Sequence, residues 1–529
     1  MSAVEGLKGR YAENHFFKIS IDKYKDTSYN KSKYPDQYNN RSETYNKISS
    51  CKVNQRGFPK DKAEVEIKKI IKKLREANVN RLPTESELMA RLNLGRHSIR
   101  EAISRCVSEG LLEKVQGKGT FIITKTRELD FLGWIGTEPP GDMAIEKMVE
   151  GFESKNPDIK LNYHPVPYYQ TIDRMLKLSF KSKSPDVIQI TPAMLGFLHD
   201  LDYVIPLDKY INHNHLTRRY PVDIESTRID KQIYAITWAL SPLILYYNKR
   251  VLEKVGLDPE KPPTTLEELE QMCFHINNSK RENTWGISLP LSINDPIFLW
   301  LYPYFLSFNG GFLDRIGNII IDCEQNVHTL NWIINLHENG GVPGKKDVTE
   351  GRMLFASDHI AFWIDGPWLK GIFREISSFR GEFDTHYGVA KIPIGPSGKS
   401  ESVLWNHLLA ITQQCQDVEA ANKWIEYLVT NEEVLKHYYE VMGMLPPMRD
   451  VLNKEMFIRD SFASVFIAQM ETASHFPIAN PLFTNSVPFI SQVISDVIAG
   501  RKDPEQKLKF LKEIINMIKQ NAFLSIFAH

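Results

Sequence analysis

Three polar side chains between positions 96 and 100 stand at a spacing that places them on one side of a helix. Arg96, His97 and Arg100 face outward, because the apolar residues that follow repeat every three or four positions. Guanidinium groups bind phosphates and base edges through planar sets of hydrogen bonds. The chemistry predicted for this helix is therefore the binding of a polyanion.

The neighbouring segments predict how this helix is held. Thr84 and Glu87 form a capping box that begins a short helix, a three-residue turn at 93–95 follows, and the second helix begins at Arg96. Residues 112–123 then read as two strands around a glycine-bearing turn with a lysine at its tip. An earlier helix from about residue 61 carries an apolar stripe formed by Val65, Ile67, Ile70, Ile71 and Leu74. Helices followed by such a hairpin make a winged helix-turn-helix. The order of its features, which are the helix cap, the turn, the exposed arginines and the basic wing, is the order that DNA docking requires.

The stretch 82-LPTESELMARLNLGRHSIREAISRCVSEGLLEKVQGKGTFI-122 resembles the DNA-binding domain of the GntR family of bacterial transcription regulators. The resemblance covers about residues 61–125. It implies that the helix from Arg96 enters the major groove and that the wing lies along the minor groove. The DNA-contacting residues that it implies are Thr84, Glu85, Arg96, His97, Ser98, Arg100, Gln116, Gly117, Lys118, Gly119 and Thr120. Gly95 departs from the family, which commonly has serine there, and this weakens the helix cap.

Charge is unevenly distributed although the chain has 65 basic and 65 acidic side chains. Residues 52–127 hold 18 basic and 9 acidic residues, whereas the remainder beyond them holds 38 basic and 50 acidic ones. A basic module ahead of an acidic body is the asymmetry expected when only one part meets a polyanion. Residues 1–58 are rich in Asn, Tyr, Ser and Lys without periodicity, which predicts a disordered polar tail.

Beyond residue 127 the pattern becomes an alternation of strands and helices. A strand at 130–136, a helix at 143–154, a strand at 159–167, a helix at 169–180 and a strand at 186–191 predict an open sheet covered by helices. Ligands of such sheets bind outside the carboxyl ends of the strands. The loop after the third strand, at Thr191, is therefore a candidate site.

Several sequence segments in this part resemble the sugar-binding family of extracellular solute-binding proteins, and the resemblance extends over about residues 128–525. They are 186-DVIQIT, 206-PLDKYI, 233-IYAITWALSPLILYYNKRVLEKVGLDPEKPPTTLEEL-269, 359-HIAFWIDGPW-368, 391-KIPIGPSG-398 and 443-GMLPPMRD-450. The resemblance implies two α/β lobes that close on a ligand. The predicted fold is multidomain: a tail at 1–58, an α+β winged helix-turn-helix at 59–126, and a two-lobed α/β domain of the type II periplasmic-binding-protein kind at 127–529.

A sugar-like ligand needs aromatic rings for its C–H faces and planar polar groups for its hydroxyls. The candidates at family-like positions are Tyr168, Tyr169, Thr191, Trp238, Asp365, Trp368, Trp405 and Asn406, with Trp238 and Trp368 foremost. Core packing is the competing interpretation of each, and we expect about half of them to line the cleft. Trp332, Trp363 and Trp424 are interpreted as packing residues.

Motifs for catalysis, metals and cofactors are not found. In 393-PIGPSGKS-400 the first glycine of a phosphate loop is replaced by Pro393, and His213 and His215 lack a matching ligand cluster. Five scattered cysteines fit a reducing compartment better than a disulfide framework. The first twenty residues lack the apolar run of a secretory signal, and no segment is long and apolar enough to span a membrane, which predicts a cytoplasmic protein without a membrane partner.

These observations predict a ligand-responsive transcription regulator without enzymatic activity, in which a homodimer binds double-stranded operator DNA and senses a sugar or oligosaccharide. Two alternatives stay open. One is a solute receptor of an ABC importer, which needs export. The other is an enzyme acting on polysaccharide, which needs paired carboxylates that no spacing here reveals.

Overall fold

The computed structural model describes residues 59–76, 79–109, 111–123, 127–138, 140–180, 183–293, 296–314, 317–376, 383–500 and 503–527. The predicted tail at 1–58 lies outside the described residues. The described residues divide into two compact units. The first holds the residues up to Glu128 together with Glu153–Lys160, and the second holds Leu129–Phe152 and the residues from Leu161 onward.

The first unit contains the expected helices and hairpin. Its elements are α1 (Pro59–Glu76), α2 (Glu85–Leu92), α3 (Arg96–Ser108), β1 (Leu112–Val115) and β2 (Gly119–Ile122). The two strands pair in antiparallel register, with Leu112 opposite Ile122. This is the three-helix and hairpin order of a winged helix-turn-helix.

A small apolar core holds the first unit together. It joins Ile67 and Ile71 of α1 to Ile99 and Ile103 of α3. Val65, which we expected in the α1 stripe, is exposed, and Ala63 is buried at that end of the helix instead. The prediction was wrong for Val65 alone, because 63, 67, 70 and 71 follow the helical period more closely than 65 does.

Strands and helices alternate along the rest of the chain. In chain order the elements are β3 (Arg127–Gly133), a 3₁₀ turn (Ile135–Thr137), α4 (Gly141–Lys155), β4 (Ile159–Pro165), a 3₁₀ turn (Tyr168–Gln170), α5 (Thr171–Ser179), β5 (Val187–Ile190), α6 (Pro192–Asp200), α7 (His213–Leu216), α8 (Pro221–Glu225), β6 (Arg228–Ile229), β7 (Gln232–Ile233), β8 (Ile236–Ala239), β9 (Ile244–Asn248), α9 (Lys249–Lys254), α10 (Leu266–Asn278), β10 (Trp285–Ile287), α11 (Ile297–Ser307), α12 (Glu324–Gly340), α13 (Val348–Ala356), β11 (Ile360–Asp365), α14 (Leu369–Ile376), α15 (Phe383–His386), β12 (Tyr387–Ala390), β13 (Ser402–Val403), β14 (His407–Ile411), α16 (Val418–Thr430), α17 (Glu432–Met442), α18 (Arg449–Leu452), α19 (Glu455–Ile458), α20 (Ser461–Gln469), β15 (Ala473–Ser474), α21 (Pro481–Ile498) and α22 (Pro504–Phe527).

Two sheets form the centres of two lobes. The first lobe has the strand order β4-β3-β5-β14-β8, and the second has the order β10-β11-β9-β12. In the first, β3 runs parallel to β5, while β14 is antiparallel to both of its neighbours. In the second, β9 is antiparallel to β11 and β12. The strands β9, β11 and β14 are buried along their whole length, as expected for sheets covered on both faces.

The chain passes between the two sheets at residues 240–243 and again at 402–406. These passages are tied together, since the Leu243 N–H donates to the Val403 carbonyl at 3.1 Å. Strand β13 also pairs in parallel with β15, which brings a third segment to the same place. None of the helices within the described residues combines the length and the apolar character needed to cross a membrane.

Candidate DNA-binding surface and ligand cleft

The capping box at the start of α2 is formed as the sequence predicts. The Thr84 N–H donates to the Glu87 carboxylate at 2.7 Å, and the Glu87 N–H donates to the Thr84 hydroxyl at 3.3 Å. The Thr84 hydroxyl also donates to the Glu87 carboxylate, at 2.8 Å, and the two hydrogen bonds from Thr84 to this carboxylate hold the pKa of Glu87 below its usual value. The cap fixes the first helix of the helix-turn-helix, and with it the direction of the turn into α3.

The start of α3 presents three exposed polar side chains, two of which are guanidinium groups. Arg96, His97 and Arg100 are exposed, while Ser98 is half-buried. The Arg100 Nε donates to the carboxylate of Glu85 at 2.7 Å, so a residue of α2 orients this guanidinium group. Gly95 caps α3 without a side-chain hydrogen bond, as its substitution for serine predicts.

The wing is a tight turn between β1 and β2. Gly117 and Gly119 have φ values of 75° and 119°, which side chains other than glycine rarely adopt. Lys118 lies between them and is exposed, as is Gln116, and Thr120 is half-buried.

Arg81 is a cation at the wing that the sequence did not single out. A Cβ built on Gly119 would lie 3.3 Å from the Arg81 Nε, so the guanidinium group lies beside the tip of the wing. Backbone pairing places it there, because the Leu82 N–H donates to the Thr120 carbonyl at 2.9 Å. The one feature of the sequence that could have indicated a role for Arg81 in DNA binding is its position just before the helix-turn-helix.

In the second unit, Asp365 holds an arginine rather than facing open space. Asp365 ends β11 and is fully buried, and its two carboxylate oxygens accept from the Arg352 Nε at 2.7 Å and the Arg352 Nη2 at 3.0 Å. The Trp363 Nε1–H and the Gly366 N–H donate to the same oxygens, each at 2.8 Å. Four donors occupy the carboxylate, so Asp365 fixes Arg352, whose side chain stays 18% exposed.

Glu138 reaches the same place from the first lobe. It follows the 3₁₀ turn after β3, and burial raises its pKa to about 7, although Arg352 lowers it and Asp365 raises it further. Glu138 is half-buried, and the charges of two second-lobe residues act on its carboxyl group. Neither Glu138 nor Arg352 belongs to a recognisable motif, and sequence reasoning missed both.

Aromatic rings surround these charges. The Trp134 ring lies edge-on to Tyr168 at 5.2 Å and to His407 at 5.1 Å, and Tyr168 meets Tyr169 at 5.1 Å. Trp368 of the second lobe stacks on His407 of the first at 5.6 Å with an interplanar angle of 13°. We call the following residues the interlobe cluster: Trp134, Glu138, Tyr168, Tyr169, Arg352, Asp365, Trp368 and His407.

The other sequence candidates lie outside this cluster. Trp238 is fully buried and stacks on Tyr438 at 4.5 Å, which makes it a packing residue of the first lobe. Trp405 is also buried, and it stacks on Trp300 at 4.5 Å. Both rings stack on an aromatic neighbour, as large aromatic side chains commonly do in cores.

Asn406 and Thr191 are buried polar residues with different surroundings. The Asn406 Oδ1 accepts from the Ser241 N–H at 2.9 Å and its Nδ2 donates to Asp223 at 3.0 Å, so this side chain ties the crossing segments together. The Thr191 hydroxyl makes no hydrogen bond within the described part of the chain. Of the eight candidates, Tyr168, Tyr169, Asp365 and Trp368 are brought together.

Family models match both parts of the chain. Residues 147–463 match the model described as bacterial extracellular solute-binding protein, and residues 59–122 match bacterial regulatory proteins, gntR family. The chain belongs to the bacterial extracellular solute-binding protein family. It joins this domain to a GntR DNA-binding domain, as the two resemblances in the sequence predict.

Relatives of the solute-binding domain include sugar-binding proteins. A putative binding protein of Brucella abortus is 23% identical over 373 residues, which are 69% of this chain and 87% of the relative. The maltotriose-binding protein of Pyrococcus abyssi is 21% identical over 336 residues, 60% of this chain and 67% of the relative.

Solved structures share the two-lobed fold. An ABC transporter solute-binding protein of Thermotoga lettingae, bound with α-D-tagatose, has a TM-score of 0.67 at 21% identity and covers 74% of this chain and 99% of its own. Maltose-bound MalE3 of T. maritima has a TM-score of 0.65 at 21% identity, with the same coverage. At this identity the likeness establishes the fold.

Proposed function

We propose that this protein is a ligand-responsive transcription regulator, in which the winged helix binds operator DNA and the two-lobed domain senses a sugar or related small solute. One observation carries the proposal: a GntR DNA-binding domain and a solute-binding domain share one polypeptide. A transport receptor has no use for a DNA-binding head, whereas a regulator needs both parts.

The exposed cations support the DNA-binding half. Arg96 and Arg100 at the start of α3 reach bases or phosphates in the major groove, and Lys118 reaches the backbone beside the minor groove. Glu85 orients Arg100 through its Nε, which leaves the outer edge of the guanidinium group for DNA. Thr84, Ser98 and the remaining wing residues complete the contact surface.

The interlobe cluster supports the sensing half. Sugars bind through C–H packing on aromatic rings and hydrogen bonds to charged planar groups. Trp368, Tyr168 and Tyr169 supply rings, while Glu138 and Arg352 supply an acceptor and a donor from opposite lobes. A ligand that contacts both lobes favours the closed arrangement over the open one.

Lobe closure changes the affinity for DNA through the geometry of the dimer. A homodimer engages two half-sites about 34 Å apart, and a change in the spacing of its two DNA-binding domains alters operator affinity. Because only a ligand with unequal affinity for two states shifts their populations, the sugar acts through its preference for closed lobes. A DNA-binding role places the protein in the cytoplasm.

A second function is favoured by a different observation, since the relatives are named as transport-linked binding proteins. In that case the chain is a solute receptor of an ABC importer. The two functions differ in one property, because a receptor binds sugar without salt-dependent affinity for DNA.

The test uses the full chain and a fluorescent DNA fragment from upstream of its own coding region. We expect binding that weakens steeply between 50 and 200 mM salt, as phosphate contacts require. Arg96→Ala and Arg100→Ala should each weaken it, whereas Lys73→Ala, which removes an exposed cation from α1, should leave it nearly unchanged. Equal binding by all three variants and the wild type contradicts the DNA-binding half of the proposal.

A further inference from the structure

A buried glutamine in the first lobe has its amide orientation fixed by the backbone. The Gln189 Oε1 lies 3.0 Å from the Trp134 N–H and 3.2 Å from the Ile135 N–H. Both backbone groups are donors, so the atom that they contact must be the amide oxygen. Gly133 makes this approach possible, because a Cβ at that position would lie 2.6 Å from the same oxygen.

The fixed amide determines which nitrogen of His407 carries its proton. The other end of the amide, Nε2, is a donor only, and it lies 3.2 Å from the His407 Nδ1. Nδ1 therefore accepts, and in a neutral imidazole the proton is then on Nε2. The Tyr438 hydroxyl lies 3.2 Å from the same Nδ1 and is able to donate to it as well.

His407 stays neutral in these surroundings. Burial lowers its pKa to about 3, so the ring carries no charge between pH 5 and 8. The groups packed against it are the indoles of Trp134 and Trp368, the Gln189 amide and the Tyr438 hydroxyl, all of them uncharged in that range. Burial raises the pKa of Tyr438, and the charge of Glu138 raises it further.

The Nε2 atom of the ring makes no hydrogen bond within the described residues. Within the described part of the chain, both hydrogen bonds of the His407 side chain are made at Nδ1, and the residue keeps an exposed fraction of 4%. One face of the imidazole is occupied by Trp368 from the second lobe. The ring therefore lies at the junction of the lobes, between Trp134 of the first lobe and Trp368 of the second.

We infer that His407 is a ligand-binding residue that presents a fixed Nε2–H donor to an acceptor oxygen of the bound sugar, with Gln189 as its positioning residue. This rests on the proposed sensing function and sharpens it. A hydroxyl or ring oxygen satisfies the donor. An ammonium group in its place leaves two donors facing each other, so the site selects neutral sugars over amino sugars at that position.

The first arm of the test needs no ligand. In the full chain labelled with ¹⁵N-histidine, the two ring nitrogens of His407, assigned by loss of their signals in His407→Phe, should report a neutral ring protonated at Nε2 from pH 5 to 8. In Gln189→Glu the second carboxylate oxygen replaces the donor and should draw a proton onto Nδ1. A wild-type ring that is protonated at Nδ1 overturns the inference.

The second arm measures binding of maltose, maltotriose and tagatose by calorimetry, with glucosamine as the cationic probe. For a sugar that binds, His407→Phe should lose about tenfold or more in affinity, because the ligand oxygen loses its donor. His407→Gln, which keeps a donor near the Nε2 position, should lose less. His437→Phe is the matched control, since this histidine lies on α17 outside the interlobe cluster.

The outcomes separate the two proposals. If a sugar binds the wild type and His407→Phe equally, the role of His407 is wrong while sugar sensing stands. If no sugar in the panel binds the wild type, the sensing function fails and the ligand role of His407 falls with it. Glucosamine binding as tightly as the neutral sugars contradicts the selectivity.

Discussion

The substitution Asp365→Asn tests the hydrogen bonds of the interlobe cluster, because it removes the charge of the side chain without changing its size. The carboxylate accepts two bonds from Arg352, one from Trp363 and one from Gly366. An asparagine turns one oxygen into an NH₂ group, which then faces two donors. Two charge-assisted hydrogen bonds at about 1.5 kcal/mol each give a loss of about 3 kcal/mol, rising to about 5 if Arg352 stays without a counter-charge.

Tryptophan fluorescence in urea measures this loss selectively. All nine tryptophans lie between Trp134 and Trp424, so the signal reports the solute-binding domain and not the winged helix. The midpoint should fall at an unchanged slope, as expected when stability alone changes. Asp258→Asn is the control, because Asp258 pairs with Lys261 on the surface of the same part of the chain, where such pairs contribute below about 1 kcal/mol. Equal midpoints for the two variants refute the reasoning about Asp365.

Three further predictions concern single side chains. Because burial raises the pKa of Glu138 from 4.5 to about 7, the folded protein keeps a proton that the unfolded chain releases, and this contribution to stability is lost as pH rises between those values. Glu138→Gln should therefore show a smaller fall in urea midpoint from pH 5 to pH 8 than the wild type, and an equal fall contradicts the prediction. Gly95→Ser should stabilise the start of α3 by a few tenths of a kcal/mol, seen as slower amide exchange in α3, because a side chain there meets no neighbour within 4 Å. Arg100→Ala should lower the slope of log affinity for DNA against log salt by about one, and an unchanged slope excludes a phosphate contact.

Local patterns in the sequence predicted the DNA-binding domain well. The capping box, the turn and the hairpin are set by residues close together in the chain, so short-range rules suffice for them. Arg81 was missed because its position beside Gly119 depends on pairing between residues far apart in the sequence.

The ligand site was predicted less completely, for a physical reason. Glu138, Arg352 and His407 come from three distant segments and meet only when two sheets are assembled, so no spacing links them. Aromatic residues gave an ambiguous signal, since Trp238 and Trp368 look alike in the sequence. One stacks on Tyr438 inside a lobe, and the other stacks on His407 between the lobes.

The most direct test of the proposed regulator measures both binding events in one protein. A sugar that raises the unfolding temperature of the full chain is added at saturating concentration while operator affinity is measured at fixed salt. A coupling free energy of about 1–3 kcal/mol between sugar binding and DNA binding predicts a change in operator affinity of about 5- to 150-fold. The substitution Trp368→Ala should abolish that change without altering DNA binding in the absence of sugar. A sugar that stabilises the protein yet leaves operator affinity unchanged contradicts the account.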